Sequence, residues 1–226
     1  MAVKSAKVSS SSSLQKEKEV FNHLCDCPYI LECYGEETTM SKDEKMLYNL
    51  LLEYASGGSL ADLIKRSDGY GLPESDVKRL TRSILKGIDY IHSHDYAHCD
   101  LKLDKVLFVP SGDGDFVPKI GDFGLAKKEF PYDIWAPGMY GFEMFTGKSL
   151  WGSNPNETTE KACKRIVDRY ELPKIPSWIS KDGKDFLKGC LVKNHQFRFT
   201  IEMLLNHPFV SEIDDTESSE FGEIVD

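Results

Sequence analysis

Residues 97–107 read A-H-C-D-L-K-L-D-K-V-L, and residues 120–124 read I-G-D-F-G. Each segment carries an aspartate in a distinctive setting: Asp100 stands in a polar loop behind a long predicted helix, and Asp122 follows a short apolar strand. Apolar runs at 106–109 and 117–120, separated by a Gly- and Asp-rich turn, predict a hairpin between the two aspartates. The helix is predicted from apolar residues three and four positions apart, namely Val77, Leu80, Ile84, Ile88 and Ile91.

These two segments resemble the protein kinase family, in which H-R-D-L-x-x-x-N supplies a catalytic base and D-F-G supplies a magnesium ligand. The resemblance implies ATP and Mg²⁺ as cofactors, with Asp100 as the base, Lys102 as a phosphate-neutralising lysine and Asp122 as the metal ligand. His98 is predicted to pack in the core and brace this loop. Two positions depart from this pattern. Cys99 stands where most kinases have Arg, and Lys105 stands where the family has a metal-binding Asn, five residues after the base.

The start of the chain resembles the smaller kinase lobe. Residues 2–4, A-V-K, resemble the end of the strand whose lysine contacts the α- and β-phosphates, so Ala2 and Lys4 are candidate nucleotide contacts. A capping box of Ser12 and Gln15 predicts that a helix begins at Ser12. By resemblance this is helix C, and Glu17 is the partner of Lys4. The alternative is that Glu17 is a solvated helix charge.

A predicted strand over 46–54 runs into E-Y-x-x-G-G, which resembles the kinase hinge. The resemblance implies that backbone groups of Glu53 and Ala55 bond adenine, that Leu52 guards the pocket behind it, and that Leu107 contributes to the same nucleotide site. The same letters also fit any strand followed by a glycine turn. A second short strand is predicted at Tyr29-Ile30.

Two segments of the family pattern have no counterpart in this sequence. Three residues precede Lys4, so we expect no Gly-rich loop over the phosphates. Eight residues, 125–132, separate D-F-G from the predicted central helix, where the family has an activation loop and an A-P-E motif. Arg198, whose family partner belongs to A-P-E, is expected to be solvated or to pair elsewhere. Pro137, Gly138 and Gly141 are predicted to weaken the central helix.

Composition narrows the function classes. The net charge of −9 and the lack of a dense basic stripe argue against a nucleic-acid partner. No apolar run reaches the roughly 18 residues of a membrane span. Six cysteines without disulfide or zinc spacing predict reduced thiols, and hence a cytoplasmic or nuclear location or both. Residues 211–226 hold seven acidic side chains and no Lys or Arg, which predicts a disordered tail.

The predicted fold class is α+β, a two-lobed protein-kinase-like fold. Residues 1–55 are predicted to form a partial smaller lobe with a truncated sheet and helix C. Residues 56–210 are predicted to form a mainly helical larger lobe with a shortened activation segment. Residues 211–226 are predicted to form the acidic tail. Cys99 between His98 and Asp100, together with the hairpin at 113–120, resembles plant-type mitogen-activated protein kinase kinase kinases.

Three hypotheses follow for the function. The first is a working serine/threonine kinase that phosphorylates a downstream kinase, with ATP and Mg²⁺ as cofactors. The second is a pseudokinase or truncated form that binds nucleotide or protein, and the third is an incomplete product with no stable fold. Lys105 and the two missing segments favour an impaired enzyme over a working one. We expect a monomer with a protein partner, a downstream kinase, and no membrane contact.

Overall fold

The computed structural model describes residues 1–112, 114–128, 135–148, 174–192 and 194–211. The strands are β1 Ala2–Lys7, β2 Cys33–Met40, β3 Met46–Leu52, β4 Tyr96–Ala97, β5 Val106–Pro110, β6 Phe116–Ile120 and β7 Lys127–Lys128. The helices are α1 Ser12–His23, α2 Leu60–Arg66, α3 Glu74–Ser93, α4 Trp135–Thr146, α5 Lys181–Cys190, α6 Ile201–Leu205 and α7 Pro208–Ser211. Short 3₁₀ turns occur at Val8–Ser10, Leu103–Lys105 and His195–Phe197.

The smaller lobe is an antiparallel sheet of order β1-β3-β2 with α1 packed on it. Exposure alternates along β1, so that Ala2, Lys4 and Ala6 are half-buried while the residues between them are exposed. This alternation is the two-residue period of a strand with one covered face. Lys4 therefore lies on the face that α1 covers.

Helix α1 begins where the sequence predicts, but its cap is one residue earlier. The side-chain amide of Gln15 donates to the hydroxyl of Ser11 at 2.8 Å, and Ser11 is the N-cap residue. The Ser12 capping box was therefore wrong by one position, because five successive serines give no sequence signal that separates them. The helix packs through one apolar stripe, since Leu14, Phe21 and Leu24 are all buried.

Two strand predictions in the smaller lobe need correction. Tyr29-Ile30 is not a strand: Ile30 makes only an isolated parallel bridge to Ile120. Strand β2, Cys33–Met40, was not predicted, because its residues are mostly polar and exposed and show no apolar alternation. The third strand, predicted over 46–54, ends two residues earlier, at Leu52.

The larger lobe is built around α3, as predicted. Its five predicted apolar positions are at most 3% exposed, and α3 packs against α4, α6, α7 and β6. The predicted hairpin is also confirmed, with Val106 paired to Ile120 and Val109 paired to Val117. The hairpin starts and ends beside the two loops that hold the aspartates.

Glycines in α4 allow close helix packing. A Cβ atom on Gly138 would lie 2.4 Å from Cys190 Cβ, and one on Gly141 would lie 3.0 Å from a methyl group of Leu187, both in α5. Pro137 falls in the first described turn of α4, where a missing N–H costs little. The residues predicted to weaken α4 therefore have a packing role that propensity alone does not reveal.

Parts of two predicted features lie outside the described residues: residues 129–134, where the interval after D-F-G leads into the central helix, and residues 212–226 of the acidic tail. Among the described residues, no helix is long and apolar enough to cross a membrane. The five described cysteines carry free thiols, as expected: Cys25, Cys27, Cys33, Cys99 and Cys190.

Candidate active site

Four charged side chains form a continuous chain across the cleft between α1 and the loop that follows β6. The ammonium group of Lys4 lies 2.8 Å from Glu17 Oε2 and 2.7 Å from Asp122 Oδ1, and the ammonium group of Lys105 contacts Asp122 Oδ2. We call Glu17, Lys4, Asp122 and Lys105 the ionic chain. It brings together three sequence-predicted site residues and Lys105, the residue at the position of the family's metal-binding Asn.

Glu17 is a buried partner of Lys4 and not a solvated helix charge. The Glu17 side chain is only 1% exposed, and burial of a carboxylate is tolerated when a cation pairs with it. Burial also disfavours the charged form of Lys4. The hydrogen bonds from Lys4 to Asp122 and Glu17 outweigh this effect and raise the pKa of Lys4 above its ordinary value.

Asp122 has both carboxylate oxygens engaged by ammonium groups. Burial works against its ionisation, but hydrogen bonds from Lys105 and then from Lys4 outweigh burial and lower the pKa of Asp122 to about 2. The Asp122 backbone is left-handed, with φ of 62°, a conformation that Asp tolerates better than most residues. The carboxylate is therefore held ionised and in a fixed place.

The register of the hairpin explains why Lys105 meets Asp122. Val106 pairs with Ile120, so the residues just outside the pair, Lys105 and Gly121, lie opposite each other. The Gly121 amide donates to the Lys105 carbonyl at 2.9 Å and closes this end of the hairpin. Asp122 follows at once. The sequence predicts that Lys105 occupies the position of the metal-binding Asn, but its pairing with Asp122 was not predicted. The register of the predicted hairpin was the signal that could have revealed this pairing.

A second set of contacts joins the same elements through aromatic rings. The Phe123 ring lies edge-on to Phe21 of α1 with centroids 5.1 Å apart, and its centroid is 5.0 Å from that of His98. All three residues are buried, with exposures of 4% for Phe21, 1% for Phe123 and 0% for His98. We call Phe21, Phe123 and His98 the aromatic column.

His98 braces the loop before Asp100, as predicted. Its Nε2 lies 3.0 Å from the Gly121 carbonyl oxygen, and its Nδ1 accepts from the Asp100 amide at 3.3 Å. Because a carbonyl oxygen can only accept, Nε2 carries the proton and Nδ1 does not. The loop is also fixed to α4, since the Tyr140 hydroxyl donates to the Leu101 carbonyl.

The Asp100 carboxylate has fewer partners than that of Asp122. Within the described part of the chain, its one ion pair is with Lys102, whose ammonium group lies 3.9 Å from Asp100 Oδ2. Lys102 is 41% exposed and Asp100 is 16% exposed. Asp100 can therefore accept a further proton donor, and the Lys102 ammonium group can reach an anion in the cleft.

The hinge residues leave two backbone groups free for a ligand. The Glu53 amide donates a hydrogen bond to the Glu32 carbonyl at 2.9 Å, and the Glu53 carboxylate forms an ion pair with Lys119 at 2.9 Å. Within the described ranges, the Glu53 carbonyl and the Ala55 N–H have no hydrogen-bond partner. An acceptor and a donor two residues apart suit the hydrogen-bonding edge of adenine.

The other candidate nucleotide contacts are the apolar residues Ala2, Leu52 and Leu107, of which Leu52 directly precedes Glu53. Ala2 is paired with Leu52 across the sheet, and both are covered to a large extent. Leu107 is half-buried, and its Cδ1 would lie 3.4 Å from a Cβ atom on Gly121, the residue before Asp122. A cavity of about 450 Å³ lies on the Lys119 side of Glu53 and includes Pro28, Val109 and Pro118 in its lining. That cavity contains none of the other candidate nucleotide contacts.

Comparison with known proteins identifies the family. A model of the protein kinase domain matches residues 1–131 and 126–210. Mitogen-activated protein kinase kinase kinase 20 of Arabidopsis thaliana is 42% identical, over 93% of this chain and 69% of that protein. The chain belongs to the protein kinase family. Mitogen-activated protein kinase kinase kinase 17 of the same plant is 34% identical, over 96% of this kinase-family chain and 64% of that protein. Mitogen-activated protein kinase kinase kinase 18 is also 34% identical, over 93% of this chain and 69% of that protein.

The α+β two-lobed kinase fold is thereby confirmed, and the alignments bear on the segment after D-F-G. The kinase-domain model matches in two pieces that meet at residues 126–131. The alignment with kinase kinase kinase 20 runs over 242 positions, but 93% of 226 residues is about 210, so about 32 positions of that relative have no counterpart here. The boundary between the two matched pieces falls within the interval 125–132, and a shortened activation segment stays a prediction.

The residues present do not suit the magnesium ion that the family uses. Mg²⁺ takes oxygen ligands, and in protein kinases the D-F-G Asp and the catalytic-loop Asn hold it. Here ammonium groups occupy both oxygens of Asp122, and Lys105 offers no oxygen. Within the described ranges, no group of three or more His, Cys, Asp or Glu residues could hold a metal ion. ATP, in contrast, fits the free hinge groups and the three lysines.

Arg198 is paired elsewhere, as expected for a residue without its A-P-E partner. Its Nε and Nη2 donate to the Val192 carbonyl at 3.2 and 3.1 Å. This contact lies within the larger lobe, away from the cleft residues described above.

Proposed function

We propose that this kinase-family chain binds ATP in the cleft and transfers phosphate poorly or not at all. It would then act in a mitogen-activated protein kinase cascade chiefly by binding a downstream kinase. The observation that carries the proposal is the double engagement of Asp122, whose two oxygens are held by Lys4 and Lys105. The names of the relatives support the cascade and the kind of partner. Residence in the cytoplasm or nucleus and a monomeric state stay predictions.

The nucleotide would be held by two sets of groups. The Glu53 carbonyl and the Ala55 N–H would bond the adenine edge, between the apolar side chains of Ala2, Leu52 and Leu107. The ammonium groups of Lys4, Lys102 and Lys105 would face the phosphates. Bound ATP supplies the γ-phosphoryl group for transfer, and Asp100 would accept the proton of the acceptor hydroxyl.

Two features argue for weak transfer. Phosphoryl transfer depends on placing both reactants and on neutralising the phosphate charge. The metal ligands that the family uses are not available at Asp122 and Lys105. The short interval at 125–132 also leaves no room for the activation loop and A-P-E motif. Restoring the Asn at position 105 would repair only the first defect.

A working kinase is the second candidate, and one observation favours it. The Lys4–Glu17 pair is formed at 2.8 Å, and Asp100 is open to a proton donor. Active kinases require the corresponding Lys–Glu pair. These two features of the site do not involve the metal ion, and both support a working kinase.

The test measures phosphate transfer to a generic basic protein and to a mitogen-activated protein kinase kinase. The unmodified chain, Lys105→Asn and Asp100→Ala are compared, with Asp100→Ala as the blank. We expect the unmodified chain and Lys105→Asn to stay close to the blank. Activity of the unmodified chain clearly above the blank would establish the working kinase instead. A large gain from Lys105→Asn alone would show that the lysine is the sole obstacle.

A further inference from the structure

We propose that Lys105 takes the place of the metal ion, so that the cleft binds a nucleoside triphosphate in its metal-free form. This inference rests on the proposed ATP site and specifies the chemical form of its ligand. It concerns binding and not transfer. It follows from the position of one ammonium group relative to Asp122, Lys4 and Lys102.

The charges that face the cleft are balanced without a metal. Three carboxylates, Glu17, Asp100 and Asp122, are matched by three ammonium groups, those of Lys4, Lys102 and Lys105. With a neutral Asn at position 105, the same set would carry one net negative charge and would repel a polyphosphate unless a cation were bound. Lys105 removes that need, because like charges at short range in a partly buried site are strongly unfavourable.

The backbone fixes where the Lys105 side chain starts. Its amide donates to the Lys102 carbonyl at 2.8 Å, and its carbonyl accepts from the Gly121 amide at 2.9 Å. The side chain is 18% exposed. Its ammonium group therefore remains at the Asp122 end of the cleft, on the opposite side of the carboxylate from Lys4. In metal-chelated ATP the dication would lie close to this ammonium group, and these two like charges would repel each other.

Lys102 can add a second contact to the same phosphates. Its ammonium group is the more exposed of the two and makes one long ion pair, at 3.9 Å, to Asp100. Lysine donates three hydrogen bonds, so Lys102 can keep Asp100 as a neighbour while it donates to a phosphate oxygen. Lys4 already donates to Glu17 and Asp122, so it keeps one N–H donor for a phosphate oxygen. Three lysines around one anionic ligand supply hydrogen-bond donors and local positive charge at the phosphates, where the family uses metal ions.

The experiment measures ATP affinity by calorimetry in excess EDTA and in excess MgCl₂ at matched ionic strength. The unmodified chain is expected to bind ATP at least as tightly in EDTA as in magnesium. Lys105→Asn is expected to lose about tenfold in EDTA, or about 1.4 kcal/mol, and to regain affinity when magnesium is added. Lys105→Arg keeps the charge and is expected to keep the affinity in EDTA.

Lys65→Asn is the matched control, because it removes the same charge from an exposed position on α2. It should change neither value. Binding of ATP by the unmodified chain only in the presence of magnesium would overturn this inference and leave the proposed ATP site standing. Absence of binding in both conditions by the folded chain would overturn the ATP site and this inference together. Thermal unfolding of each variant establishes that it is folded, and Lys105→Arg keeps the test decisive if Lys105→Asn does not fold.

Discussion

The ionic chain and the aromatic column join the same three parts of the molecule, and the ionic chain also includes Lys4 of β1. Each begins on α1, passes through the D-F-G segment and ends on or beside the catalytic loop. The ionic chain does so with four charged side chains, of which Lys4 is 41% exposed and Asp122 is 33% exposed. The aromatic column does so with three buried rings.

The difference between them separates the fold of a kinase from its chemistry. Ring contacts depend on shape and burial, and they are insensitive to which ion occupies the cleft. The ionic chain depends on the identity of each charged group. A lysine at position 105 therefore leaves the arrangement of α1, D-F-G and catalytic loop intact while it changes what Asp122 can bind.

The largest effect is expected from cutting the aromatic column. Phe123→Ala should lower the free energy of unfolding by about 3–5 kcal/mol, because it removes a buried ring that contacts two others. Chemical denaturation measures this loss. Leu125→Ala, two residues along and 56% exposed, is the control and should change stability by less than about 0.5 kcal/mol. A loss below about 1 kcal/mol for Phe123→Ala would mean that the column does not hold the lobes together.

Cutting the ionic chain should have a smaller effect that depends on pH. The pKa of Asp122 is lowered in the folded state, so its contribution to stability is complete above the unfolded value of 3.8 and is lost as the pH falls toward about 2. The carboxylate is 33% exposed, so solvent screening reduces this contribution to about 1 kcal/mol. Asp122→Asn should lose that amount at pH 6. Its deficit should shrink toward zero by about pH 2; a deficit independent of pH would contradict the pairing.

Much of this frame could be predicted from the sequence, because it rests on local patterns. The apolar period of α3, the hairpin and the burial of His98 all follow from residues that lie close together in the chain. The Lys4–Glu17 pair was predicted from a family resemblance. Strand β2 was missed because a polar edge strand lacks an apolar pattern, and Tyr29-Ile30 was given a strand where only one bridge forms.

The pairing of Lys105 with Asp122 shows where sequence reasoning stops. The sequence indicates that Lys105 replaces a metal ligand, which suggests repulsion of a metal ion. It does not say where the ammonium group goes. The three-dimensional register places it on the second oxygen of Asp122, so the lysine pairs with the carboxylate itself. The roles of Asp100, Lys102 and the hinge groups in binding and transfer stay predictions.

The smallest effect is expected at the other carboxylate. Asp100→Asn should change the free energy of unfolding by less than about 0.5 kcal/mol, because the carboxylate makes one long ion pair, at 3.9 Å, to a half-exposed lysine. Denaturant titration beside Asp122→Asn measures the contrast. If Asp100→Asn were the more destabilising of the two at neutral pH, the ranking of these carboxylates would be reversed and the structural importance assigned to Lys105 would be wrong.

The most direct test of the central claim asks whether the protein and a metal ion compete for the same nucleotide. Free Mn²⁺ gives an electron paramagnetic resonance signal, which falls when ATP chelates the ion. Linkage requires that a protein which prefers metal-free ATP releases Mn²⁺ from the complex when it binds. Adding the unmodified chain to Mn²⁺ and ATP should therefore raise the free Mn²⁺ signal, and Lys105→Asn should lower it. A fall in the signal with the unmodified chain would show that the site recruits the metal together with ATP, and that Lys105 does not replace it.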